Sequence, residues 1–190
     1  MRLLATIEML SYWHAGTGLG LGVVADAATL KNSDQLPYLP GKTIKGLFKE
    51  AFNILEESGK IPNNTTQELF GEKTDTENTN DIANSGCTFF SNGNLSKNLA
   101  DELKNNPQER ECLYETIAQT KLNDQGIAVN KSLRTIEVCL PVTMFSIITY
   151  DRQNPHYEEY FNNAAKLIRN LGSHRNRGLG RCQIRIARAD

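Results

Sequence analysis

No two cysteines of this chain stand close together. The four present are Cys87, Cys112, Cys139 and Cys182, and no C-x-x-C pair occurs. That spacing offers no basis for a zinc cluster or a disulfide framework, so reduced thiols in a cytoplasmic protein are expected. No apolar run approaches the ~20 residues needed to cross a bilayer. The opening Met1-Arg2-Leu3-Leu4-Ala5 is followed at once by Glu8, which leaves no signal-peptide core. There is no general excess of positive charge either: the net charge is −1, which argues against an evenly basic nucleic-acid binder. No Ser-His-Asp set, paired-carboxylate signature or metal-ligand spacing is present. Gly16, Gly18, Gly20 and Gly22 alternate with other residues. They form neither the Gly-Lys-Ser/Thr of a P-loop nor the spacing of a dinucleotide turn, and suggest only a loop that lets backbone approach closely.

What the chain does have is an uneven distribution of charge. Between Lys166 and Ala189 there are seven Lys or Arg and no acid, whereas Glu50 to Glu115 holds thirteen acids against five bases. A basic edge beside an acidic flank can bind a polyanion on one side only.

Two stretches concentrate the signal. The first is Leu36-Pro37-Tyr38-Leu39-Pro40-Gly41-Lys42-Thr43-Ile44-Lys45-Gly46-Leu47-Phe48-Lys49. Its prolines hold the chain extended, Gly41 allows a turn, and a helix is predicted from Thr43. Ile44, Leu47, Phe48, Ala51, Phe52 and Leu55 then make one apolar face, which Ser58-Gly59 ends. Lys42, Lys45 and Lys49 share a second face at the helix start, where free N–H groups and the helix dipole favour an anion. Taken alone, this stretch is more often a solvated lysine face. The second stretch is Gly172-Ser173-His174-Arg175-Asn176-Arg177-Gly178-Leu179-Gly180-Arg181. Its glycines permit close approach and its arginines offer forked donors for phosphate. Together the two stretches predict a groove for a nucleic-acid backbone.

The remaining pattern predicts an α+β chain of 190 residues, 1–190 forming one domain. Arg2 to Leu10 alternates as a first strand, and Cys87 to Phe90 is a second. Leu95 to Asn106 is a short helix ended by Pro107, while Glu111 to Thr120 fits strand or helix. Ser132 to Cys139 and Val142 to Tyr150 read as strands that carry a polar excursion at 121–134 and return to the sheet. Tyr157 to Leu171 is a second amphipathic helix capped by Gly172, and Cys182 to Ala187 a last strand. Residues 73–85 are polar enough to predict a mobile loop. The order β-α-β, β-α-β is the split βαβ, ferredoxin-like plan. Asp26 could position a metal ion or a reacting hydroxyl, although an isolated Asp is more often a turn former. His14 could be a general base or a stacking residue beside Trp13.

These residues resemble a known family. Residues 36–46 resemble the PYIPGSSLKG segment of the RAMP superfamily of CRISPR-associated proteins. Leu69-Phe70-Gly71 resembles its following LFG, and Gly172 to Gly180 its glycine-rich loop. Ser132-Leu133-Arg134-Thr135-Ile136-Glu137 resembles the segment after its β-hairpin thumb. The resemblance is to the backbone subunits of type III effector complexes, and it implies a ferredoxin-like/RRM-like βαββαβ core with a thumb at 121–134. It implies that Lys42, Thr43, Lys45, Lys49, Ser173, His174, Arg175, Arg177, Gly178 and Gly180 hold CRISPR guide RNA. It implies that the thumb, with Lys131 and Arg134, wedges between guide and target RNA. Copies or relatives of the chain and other effector-complex subunits would be the protein partners, with no membrane involved. In such subunits an Asp after the first strand cuts target RNA with a divalent metal such as Mg2+. Asp26 is the matching position and Asp34 a competing one. Two other roles stay open: a structural RNA-binding subunit without catalysis, and a metal-independent guide-processing endoribonuclease using His14.

Overall fold

The alternation of the first strand runs from Arg2 to Met9 (β1) and buries Leu3, Ala5, Ile7 and Met9. The computed structural model of the chain describes residues 1–18, 26–71, 86–151 and 154–189. The loop expected at 73–85 lies outside them, as do Gly20 and Gly22. After β1 come α1 (Gly41–Glu57), α2 (Thr65–Phe70), β2 (Thr88–Phe90), α3 (Lys97–Asn105), α4 (Pro107–Glu111), β3 (Tyr114–Gln119), β4 (Arg134–Cys139), β5 (Thr143–Tyr150), α5 (Tyr157–Leu167) and β6 (Cys182–Arg188).

Four strands make one antiparallel sheet in the order β2-β5-β1-β6. Its first and last strands lie side by side, with Ile7 opposite Ile184 and Met9 opposite Cys182. This is the ferredoxin-like arrangement. One face of the sheet is covered by α1 and α5, whose apolar stripes meet it. Phe161 of α5 stands at the centre, 5.0 Å from Phe52 and 5.8 Å from Phe48 and Tyr150, ring centre to ring centre. Phe70 and Phe90 complete the cluster. No helix among the described residues is long and apolar enough to cross a membrane.

Four details depart from the sequence reading, each for a local reason. Pro107 ends α3 but also begins α4, because a proline at the first helical position gives up an N–H that has no partner there. The undecided segment before the excursion is a strand, β3. β4 does not return to the main sheet: it pairs with β3 in a separate two-stranded sheet, from Tyr114 opposite Cys139 to Gln119 opposite Arg134. The excursion at 121–134 therefore caps a hairpin of its own. Finally, α5 stops at Leu167. Ile168 and Leu171 continue the apolar spacing, but as extended chain: Leu171 N–H donates to Gly180 O and Cys182 N–H to Arg169 O.

The contact at Leu171 fixes what position 180 can be. Gly180 has φ +74°, and a Cβ there would collide with Leu171 O. Gly178 has a similar φ of +85° but open space around it. Gly180→Ala is expected to destabilise the protein by about 2 kcal/mol or more, lowering the thermal midpoint by roughly 4–8 °C. Gly178→Ala should cost only the backbone strain, about 1 kcal/mol. Equal melting of the two variants would contradict this packing.

Candidate nucleic-acid interface

The start of α1 is built by contacts from another element. Pro40 precedes the helix, and Gly41 N–H donates to Asn92 Oδ1 at 2.9 Å, which satisfies one orphan donor of the first turn. Gly41 is obligatory because a Cβ there would run into Phe90 O. Lys42 is exposed, Thr43 half-buried. Lys45 and Lys49 lie on the same face as Lys42, as their spacing predicts, but serve differently. Lys45 Nζ donates to Thr88 O at 3.0 Å and Lys49 Nζ to Gly71 O at 2.7 Å. They tie α1 to β2 and to the end of α2. Burial, and then the neighbouring Lys49, lower the Lys45 pKa.

The arginine–glycine loop is held by the stretch that follows β1. Ser173 N–H donates to His14 O at 2.8 Å and Gly180 N–H to Tyr12 O at 2.7 Å. Gly172 (φ +84°) fits because a Cβ there would sit 2.6 Å from His14 O. Between these anchors His174 takes a left-handed conformation (φ 59°) and Arg175–Arg177 form one turn of 3-10 helix. Arg175 Nη1 lies 3.8 Å from Glu50 Oε2 on α1. Both side chains are exposed, so this pair contributes little and leaves the guanidinium available. The loop and the start of α1 thus face each other across a cleft of about 370 Å³, lined among others by Gly16, Thr43, Gly46, Gly172, Ser173 and Arg175. Arg177 and Gly178 lie on the exposed side of the turn.

His14 supports this arrangement from beneath. It is only 2% exposed, and its Nδ1 lies 2.7 Å from Glu137 O and 3.2 Å from Thr29 Oγ1. Since the carbonyl can only accept, Nδ1 carries the proton. Held through Nδ1 and closed off from solvent, His14 serves here as a buried support of the loop, with Nε2 turned toward Gly16. His174 lies 6.1 Å away, ring centre to ring centre. Its pKa is lowered by partial burial first, then by His14 and Arg177.

The remaining candidates gather on β4 and its hairpin. Asp26 is exposed, and its Oδ2 accepts from Thr135 N–H at 2.6 Å and from Thr135 Oγ1 at 3.4 Å. Asp26 N–H donates to Thr135 O, and Glu137 N–H to Ala27 O. The segment beginning at Asp26 thus runs parallel to β4. Glu137 clamps it: Oε2 accepts from Thr29 N–H at 3.0 Å, and Oε1 meets Lys31 Nζ at 2.7 Å. Lys31 Nζ also sits 3.8 Å from the centre of the Tyr114 ring. Arg134 begins β4, and Lys131 (φ 61°) precedes it in the excursion; both are exposed. Asp34 is committed elsewhere, in an ion pair with Lys104 at 3.0 Å. Among the described residues no three His, Cys, Asp or Glu side chains are grouped to hold a metal ion. Asp26 can offer such an ion one carboxylate oxygen, which suits Mg2+ only where substrate phosphate and water complete the shell.

Three of these roles escaped sequence reading. Asn92 caps a helix fifty residues before it, which no local pattern reveals. Thr135 is an ordinary strand residue until Asp26 meets it. Glu137 did carry a signal, a carboxylate inside the apolar run Ile136-Glu137-Val138-Cys139, all four of them buried. A buried charge needs a partner, and here that partner is Lys31.

The profile of the RAMP superfamily matches residues 6–183 of the chain. No curated protein matches it. Solved structures that share its fold include two of the same type of complex. One is a chain of the type III-B Cmr-beta complex in the apo state, seen by cryo-electron microscopy. It has a TM-score of 0.71 at 11% identity, over 99% of this chain and 98% of that one. The other is a chain of type III-B Cmr-beta bound to cognate target RNA, with a TM-score of 0.69 at 10% identity, over 98% and 97%.

The depressed pKa of His174 provides a test of the cleft. Its imidazole should titrate below 6.5 in the free protein, and a polyanion seated beside Arg175 should move that midpoint upward, because phosphate favours the charged ring. NMR titration with and without a short single-stranded RNA reads this. An unmoved midpoint would mean that the anion sits elsewhere.

Proposed function

The chain belongs to the RAMP superfamily, and from that premise we propose that it is an RNA-holding subunit of a type III CRISPR effector complex. The observation that carries this reading is the convergence of the α1 start and the arginine–glycine loop on one cleft. Thr43, Ser173, Arg175 and Arg177 hold guide phosphates, and Lys42 extends the line. His174 adds charge when protonated. Gly178 and Gly180 contribute shape, since the Gly180 amide is already committed to Tyr12. Lys45 and Lys49 set the position of α1 and add positive potential behind it.

The hairpin fits the role of a wedge. Beyond Gln119 and Arg134 it carries Leu122, Ile127, Val129 and Leu133, all exposed. Apolar side chains at such a tip suit contact with splayed bases, while Lys131 and Arg134 at its base suit phosphate. Neighbouring subunits and the target RNA are the partners this geometry asks for.

Cleavage of target RNA through Asp26 is the finer part of the proposal. The ribose 2′-hydroxyl would give its proton to solvent as its oxygen attacks the adjacent phosphorus, and the bond to the 5′-oxygen would break as that oxygen takes a proton from water, leaving a 2′,3′-cyclic phosphate and a 5′-hydroxyl. Thr135 fixes the Asp26 carboxylate by two donors to Oδ2. Oδ1 has no such contact among the described residues and would be the oxygen that holds a divalent cation. When bound there, that cation would neutralise charge building up on the phosphate. The alternative, a binding subunit without catalysis, rests on Asp26 standing without other acidic ligands among the described residues.

In the assembled complex with guide and complementary target, Asp26→Asn is expected to slow cleavage roughly 10²–10³-fold while co-purified guide is unchanged. Full cleavage by that variant would leave the binding role only. Arg175→Ala should weaken RNA retention and reduce the salt slope of binding by about one. RNA retained as by the unaltered protein would overturn the interface.

A further inference from the structure

Phe89 stands in an unusual place for a large apolar side chain. Its neighbours Thr88 and Phe90 on β2 are buried, and the pleat turns Phe89 to the other side, where it is 67% exposed. One exposed aromatic means little by itself. This one, however, lines a second cleft of about 690 Å³, with Tyr38, Lys42, Thr43, Ser91 and Asn92 among the other walls. No carboxylate among the described residues lines that cleft, and Lys42 is exposed there. The exposed Phe89 ring, Tyr38 and the exposed Lys42 together suit an anion that carries a flat apolar group.

The two clefts are continuous, because Gly16, Leu30, Pro40 and Thr43 belong to both. A strand held at Ser173 and Arg175 would pass Thr43 and reach Lys42. Its next base would then lie against Phe89. We infer that Phe89 is a stacking platform for a nucleobase of the single strand held in the first cleft, with Lys42 on its phosphate and Tyr38 as a second aromatic wall. This rests on the backbone-binding reading above and adds a base-binding subsite to it. Stacking on an aromatic accepts any base, so the subsite strengthens binding without reading sequence.

The test uses the full chain and two labelled probes of about 12 nucleotides. One is single-stranded oligouridylate and the other a ribose–phosphate chain of equal length without bases. Phe89→Ala is expected to weaken the oligouridylate roughly 5- to 100-fold and leave the abasic chain unaffected. Phe89→Trp should restore affinity, its indole emission being quenched by oligouridylate but not by the abasic chain. Arg175→Ala should weaken both probes alike. If Phe89→Ala binds oligouridylate normally while Arg175→Ala does not, the stacking site is wrong and the backbone reading stands. If Arg175→Ala binds both probes normally, or the unaltered chain binds neither, the backbone reading fails and the subsite with it. If Phe89→Ala keeps its RNA affinity but no longer assembles with other subunits, Phe89 belongs to a protein contact and the stacking site is overturned.

Discussion

Three residues in extended chain, Tyr12, Trp13 and His14, hold the two working parts of this molecule together. Successive peptide groups in such chain point to opposite sides. The carbonyls of Tyr12 and His14 accept from Gly180 and Ser173, while Trp13 exchanges N–H and C=O with Cys139 at the end of β4. Both side chains add to the β4 side of this strap. Trp13 Nε1 donates to Leu140 O, and the His14 ring reaches Glu137 O. Trp13 and His14 are almost wholly buried, so an unmade bond here would leave polar groups without water. The arginine–glycine loop and the β3–β4 sheet are thus two edges of one short strap.

The cations described here divide into those that stabilise the fold and those exposed at the clefts. Lys45, Lys49 and Lys31 are spent internally, on Thr88 O, Gly71 O and Glu137. Lys42, Arg175 and Arg177 lie on the outside. An overall charge of −1 hides this sorting. It is the geometry of a few cations around two joined clefts, rather than their number, that suits a polyanion.

Periodicity made much of the fold legible. β1, the apolar stripe of α1, the start of α5 and the alternation of β6 could all be read from spacing, because each buries one face of a regular element. The four-stranded ferredoxin-like sheet followed from their order. Spacing failed where burial continues without the helix: Ile168 and Leu171 are core residues in extended chain, set there by the pairing with Gly180 and Cys182. It also could not assign β4 to its own sheet, since a strand's partner is a property of distant chain. At the candidate site, the meeting of the two basic stretches followed from the strand order. The division of labour among the lysines did not, because the Thr88 and Gly71 carbonyls are far away in sequence. Asp26 was picked out as a residue, but its partner Thr135 was not.

The β3–β4 hairpin shares no strand with the main sheet. Its register is set within the body, by Tyr114 opposite Cys139, the strap beside it and the Asp26–Ala27 segment alongside Thr135 to Glu137. Residues can therefore be added or removed in symmetrical pairs beyond Gln119 and Arg134 without shifting a single pairing in β1, β5 or β6. Closing a loop twice as long costs only about 0.6 kcal/mol. How far this arm extends from the body is thus a dimension that lineages, or protein engineers, can vary while the ferredoxin-like half stays constant.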